Sequence, residues 1–142
     1  MRRLIVVGSA IVIAVALLLA LAPAALATDC TCPTDCKSPG YWKTHDWPVA
    51  GVCIAGVWYP QATAQPMMKQ VPGDKWSTLF RSLVAAKLNV ANGCYASCHV
   101  RWCIRAADAW LASNCSPVAA SSEAWQCGGE CLYWCLDGYN NS

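Results

Sequence analysis

Eleven cysteines, at positions 30, 32, 36, 53, 94, 98, 103, 115, 127, 131 and 135, constrain this chain more than any other feature. All follow an apolar leader. Arg2 and Arg3 precede an apolar run from Leu4 to about Ala22, and Ala25-Leu26-Ala27 has the small-x-small form of a signal-peptidase site. The pattern is that of a Sec-type secretory signal over 1–27, cleaved after Ala27, with an uncleaved membrane anchor as the alternative. A cysteine-dense chain sent to an oxidising compartment is expected to be held by disulfides. The mature part, residues 28–142, is one small domain in which crosslinks of roughly 2–4 kcal/mol each matter. Because eleven is odd, one thiol must stay free, pair between chains or hold something else.

Charge removes one class of partner. The formal net charge of +2 comes from Arg2 and Arg3; the mature part balances its eight Lys/Arg against eight Asp/Glu. A neutral surface offers no long-range attraction to phosphate backbones or anionic lipids, so nucleic acid is not an expected partner. A membrane is expected only if the leader is retained.

Residues 28–50 are rich in Pro, Thr, Asp and Cys without apolar periodicity and read as a crosslinked loop, with Pro39-Gly40 as a tight turn. Residues 51–61 place β-branched and aromatic residues on both sides of Ala55-Gly56, the pattern of a short hairpin. Gln65-Pro66 opens a short helical turn that Pro72-Gly73 ends. The helical part spans 74–139. Asp74 is the N-cap of a first helix with Trp76, Leu79, Phe80, Leu83, Val84 and Leu88 on one face, stopped at Asn92-Gly93. A second helix runs from about His99 to Ser113 with Val100, Cys103, Ile104, Ala107 and Leu111 inward. A third starts near Ser121-Ser122 and carries Trp125, Leu132 and Leu136 inward, weakened at Gly128-Gly129 and ended by the "DGYNNS" tail. The fold class is therefore mainly α: a small disulfide-rich domain of about three helices with a short β-hairpin. Cysteines four apart on a helix sit about 5–6 Å from each other at Cβ, too far for a disulfide. Cys94/Cys98 and Cys127/Cys131/Cys135 must therefore pair outward. An antiparallel third helix riveted to segment 94–103 by two rungs satisfies this.

Four motifs occur in order: "SPGYWKTHDWP" (38–48), "AAKLNVANG" (85–93), "ADAWL" (107–111) and "LDGYNN" (136–141). Together they resemble a family of exported prokaryotic proteins with a C-T-P-G-Y-W-K-N-H-like signature, an A-A-K-L-N helix and an L-D-x-Y-N-N end. The resemblance covers roughly 36–141. It implies an extracellular or cell-surface domain and no established activity. The chain departs from the pattern in its additional cysteines and in carrying no C-terminal sorting segment, so it does not imply anchoring by a tail.

Eight Trp against one Phe make the aromatic residues the first binding candidates. Tyr41, Trp42, Trp47, Trp58 and Tyr59, with Lys43 and His45 nearby, could stack on a sugar and hydrogen-bond to it; the competing reading makes Tyr41 and Trp42 a core plug. "CYASCH" (94–99) has three residues between its cysteines where a covalent haem attachment has two. His45 and His99 lack a C-x2-C partner for zinc. Asp137, Asn140 and Asn141 do not make an EF-hand. Neither a G-x-S-x-G nor an H-E-x-x-H motif is present, nor a phosphate loop. A free cysteine beside His99 is the one candidate nucleophile. The expectation is thus a non-enzymatic extracellular or cell-surface structural or interaction module without cofactor or metal, its partner an extracellular protein, a glycan, or a second copy joined through the odd cysteine. A carbohydrate-binding module using exposed Trp and Tyr is the alternative, and a metal or haem carrier is the last.

Overall fold

A computed structural model describes residues 35–142 of the chain. The segment predicted as a signal, together with Cys30 and Cys32, lies outside the described residues. The elements are α1 (Pro39–Trp42), β1 (Gly51–Ile54), β2 (Val57–Pro60), α2 (Gln61–Met67), α3 (Lys75–Ala91), α4 (Cys98–Ser113), a π-helical turn (Trp125–Gly129) and its continuation α5 (Glu130–Asn140). The chain is a mainly helical small domain with one antiparallel hairpin, as its sequence pattern predicts.

The hairpin follows from its turn. Ala55 and Gly56 both take positive φ, 53° and 81°, the pair of left-handed residues that a two-residue hairpin turn needs. The register pairs Val52 with Tyr59 and Cys53 with Trp58. Val52 and Ile54 are buried, whereas Cys53 and Trp58 face outward. Asp108 and Lys87 fasten the hairpin to the helices: Asp108 Oδ1 accepts from the Ala55 N–H at 2.9 Å, and Lys87 Nζ bonds both the Cys53 carbonyl and Asp108.

Helix α3 is the centre. Asp74 caps it by accepting from the Trp76 N–H at 2.9 Å. Leu79, Phe80, Leu83, Val84, Ala86 and Leu88 are fully buried. The buried set is wider than the predicted stripe, extending to Ser82, Ala85 and Asn89, because α1, β1, α4 and α5 all pack on this helix. Helix α4 starts one residue earlier than expected, with Ser97 as its cap, and buries the predicted Cys103, Ala107 and Leu111. Trp125, Leu132 and Leu136 point inward as expected. The Gly128-Gly129 pair has a packing reason: a Cβ on Gly129 would stand 2.5 Å from the Trp125 ring and 2.8 Å from that of Trp110. Cys103 meets Cys135 at one end of α4 and Trp110 meets Gly129 at the other, so α4 and α5 run antiparallel.

Three local expectations are corrected. Pro39-Gly40 opens the one-turn helix α1 instead of a β-turn: Pro39 stands at the first helical position and Ser38 Oγ accepts from the Tyr41 N–H at 3.3 Å. Helix α2 begins at Gln61, ahead of Gln65-Pro66. Helix α5 runs through "DGYN" to Asn140, because Tyr139 and Asn140 are buried with partners on other elements.

The disulfides are Cys36–Cys94 and Cys103–Cys135. The second is the antiparallel rivet, but as one rung rather than two: Cys98, Cys127 and Cys131 are exposed and unpaired among the described residues, as are Cys53 and Cys115. Among the described residues no helix is long and apolar enough to cross a membrane.

Candidate functional site

The two tryptophans of the motif 38–48 fold inward. Trp42 is 3% exposed and Trp47 8%. The Trp47 indole N–H donates to the Trp42 carbonyl at 2.9 Å, and the Trp42 indole N–H donates to Asn89 Oδ1 at 2.9 Å. Asn89 Oδ1 also accepts from the Lys37 N–H, and its amide nitrogen donates to the Lys37 carbonyl and to Asn140 Oδ1 at 2.9 Å. Asn140 in turn donates to the Ser82 carbonyl at 3.0 Å. Both asparagines are fully buried, so this network satisfies polar groups that would otherwise be stranded in the core. "SPGYW", "AAKLN" and "LDGYNN" thus meet in one buried network through Trp42, Asn89 and Asn140.

The remaining residues of the aromatic set are dispersed. Tyr41 is half-buried, edge-on to Trp42 and stacked on His45 with ring centroids 3.8 Å apart. His45 is exposed, its Nδ1 2.9 Å from the Tyr41 carbonyl and 3.0 Å from Thr44 Oγ1. Lys43 lines an open groove of about 530 Å³ with Ala62, Gln65, Pro66 and Lys69, a wall without aromatic rings. Trp58 is 58% exposed; Tyr59, on the opposite face of the same strand, lies edge-on to Phe80. Trp42 and Trp47 therefore have no ring face to offer a sugar, and among the five aromatic candidates Trp58 alone is largely exposed. Asp137, Asn140 and Asn141 also part: Asn140 is buried in the network and Asn141 caps the Asp137 carbonyl.

A second grouping lies on the outer side of α4 and α5. The side-chain ligand atoms of His99, Cys103 and Cys135 all fall within 4.8 Å of one another. His99 Nε2 stands 3.7 Å from Cys103 Sγ. These are the described residues that could hold a metal ion, but the two sulfurs are bonded to each other in the disulfide and neither is a thiolate. His99 is exposed and stacks on Trp102 at 6.3 Å. Trp102 and Trp134, each immediately before a bonded cysteine, are 54% and 61% exposed.

Elsewhere titratable groups serve the fold. Burial of Asp74 favours its neutral form, but hydrogen bonds from the Val118 N–H, the Ser116 hydroxyl and the Trp76 N–H outweigh it and hold the carboxyl below its ordinary value. Burial raises the Tyr139 phenol, which donates to the Cys94 carbonyl at 3.2 Å.

Sequence reasoning passed over Asn89, Asn140 as a partner of Asn89, and the His99–Cys103 pair. An asparagine inside an apolar helix and a histidine four residues before a cysteine on one helical face were the available signals. Comparison with protein-family models, curated proteins and solved structures returns no match to this chain.

Proposed function

We propose that this protein is an exported, non-catalytic interaction module of the extracellular space or cell surface, belonging with the exported proteins that share its ordered motifs, and that it joins its partners covalently through exposed thiols. The observation that carries the reading is the distribution of cysteine. Cys36, Cys94, Cys103 and Cys135 are paired, while Cys53, Cys98, Cys115, Cys127 and Cys131 are all exposed and unpaired among the described residues. Cys30 and Cys32 can close at most two of these, and an odd total leaves at least one thiol without an internal partner. The helical core acts as a rigid carrier, and a second copy of the chain is the simplest partner. Because the motif residues are spent on a buried network, a glycan platform built on Trp42 and Trp47 is not proposed.

The test is the oxidised protein, recovered after export and run on non-reducing and reducing gels with intact-mass measurement. Covalent dimers or higher species that collapse to monomer on reduction are expected. A monomer carrying one titratable thiol, with every other cysteine paired internally, would overturn the reading.

A further inference from the structure

The geometry points to Cys103–Cys135 as a disulfide built for thiol exchange, with Cys135 as the sulfur attacked and His99 as the group that receives the departing Cys103 sulfur. This activity is independent of crosslinking through the unpaired cysteines.

Three observations converge on it. First, the bond is asymmetric: Cys103 is 1% exposed, whereas Cys135 is half-buried and lies closer to solvent. An incoming thiolate reaches Cys135 first, and the sulfur left behind is the enclosed one. Second, that enclosed sulfur has an imidazole nitrogen beside it, a donor whenever Nε2 carries the proton. His99 lies one helical turn before Cys103, with Nε2 3.7 Å from Sγ, and its ring is set against Trp102. A thiolate departing from a disulfide leaves faster and is better held when its charge is stabilised, and a hydrogen bond to a charged sulfur is stronger than one to a neutral group. Third, Trp102 and Trp134 occupy equivalent positions immediately before the bonded cysteines. Both are largely exposed, so each bonded cysteine has as its chain neighbour an apolar ring open to an incoming chain that carries a thiol. Among the described residues no imidazole hydrogen-bonds to Cys36–Cys94, so the two disulfides differ in kind.

A thiolate RS⁻, from glutathione or a cysteine of a partner protein, forms a bond to Cys135 Sγ; the Cys103–Cys135 bond breaks and its electron pair stays on Cys103 Sγ, facing His99 Nε2–H. A second thiolate attacks the R sulfur of the mixed disulfide, releasing RSSR and the Cys135 thiolate. The protein gains two electrons, and the two protons released when the attacking thiols ionise return through solvent to the Cys103 and Cys135 thiolates, so that two thiols are oxidised to one disulfide.

The experiment uses the intact mature chain in graded mixtures of reduced and oxidised glutathione, quenched with acid and labelled with two mass-distinct alkylating reagents. Cys103 is the sole cysteine between Arg101 and Arg105, so its tryptic peptide reports this bond alone. We expect Cys103 to open under native conditions. In His99→Ala the equilibrium should shift about tenfold toward the closed form, equivalent to about 30 mV, with slower opening and an unchanged unfolding midpoint of the oxidised protein. His99→Gln, which keeps an N–H donor, should fall between. If Cys103 resists glutathione until the chain is denatured, or if His99→Ala leaves both the constant and the rate unchanged, the proposal fails.

Discussion

The two disulfides of this protein sit in opposite surroundings. Cys36–Cys94 ties the segment before α1 to the loop after α3, next to Lys37 and Asn89, where three of the four sequence motifs interlock. Cys103–Cys135 joins α4 to α5, each of its cysteines preceded in sequence by an exposed indole and one sulfur flanked by an exposed histidine. In the first region Asn89, Asn140 and the Trp42 indole N–H find their partners inside the core. In the second, aromatic rings and thiols are left facing solvent. The tryptophans of a motif that is conspicuous in sequence can thus belong to the core, while the side chains left facing solvent lie on other elements as well.

The largest effect expected from this contrast is at Asn89. Asn89→Ala leaves the Trp42 indole N–H, the Lys37 N–H and Asn140 without their partner inside the core. The loss should be about 3–5 kcal/mol in denaturant unfolding, and a value below 1 kcal/mol would remove Asn89 as the hub. Next comes Trp42→Phe, which keeps most of the apolar ring but deletes one donor; about 1–3 kcal/mol is expected, because Asn89 Oδ1 retains the Lys37 N–H.

Asp74 gives the comparison a pH axis. Its carboxyl is held below the ordinary value in the fold, so the stability it supplies is complete above the unfolded-state pKa. That stability disappears as pH falls through the depressed folded value. Asp74→Asn should be less stable than the parent at neutral pH, and the gap should close in acid. A gap that stays constant down to the acid transition would show that charge at this cap is irrelevant. The smallest effect belongs to the exposed indoles: Trp58→Ala and Trp134→Ala should each change stability by no more than about 0.5 kcal/mol. A loss comparable to that at Trp42 would erase the distinction between the two regions.

The elements legible in the sequence are those specified locally. The hairpin follows from Ala55-Gly56 between two β-forming runs, and α3 from the Asp74 cap and a 3.6-residue apolar stripe. Helix α1 is illegible because a one-turn helix has almost no intrinsic stability; "PGYW" holds it through the Ser38 cap and through Trp42 docked on an asparagine 47 residues away. The end of α5 is hidden for the same reason. Gly138 and two asparagines read as a stop, yet Asn140 finds Asn89 and the Ser82 carbonyl. Disulfide partners depend on which helices meet, and one of the two expected rungs is absent among the described residues. The aromatic set was legible as a group, but the division into inner Trp42 and Trp47 and outer Trp58 is a tertiary outcome.

The most direct measurement of that division is hydrogen exchange at the eight indole N–H groups, resolved by NMR. The Trp42 and Trp47 indoles, buried and bonded to Asn89 and to the Trp42 carbonyl, should exchange slowest, on the timescale of global unfolding. Those of Trp58, Trp102 and Trp134 should exchange at once. Trp42 exchanging as fast as Trp58 would contradict the assignment of the tryptophans of "SPGYWKTHDWP" to the core.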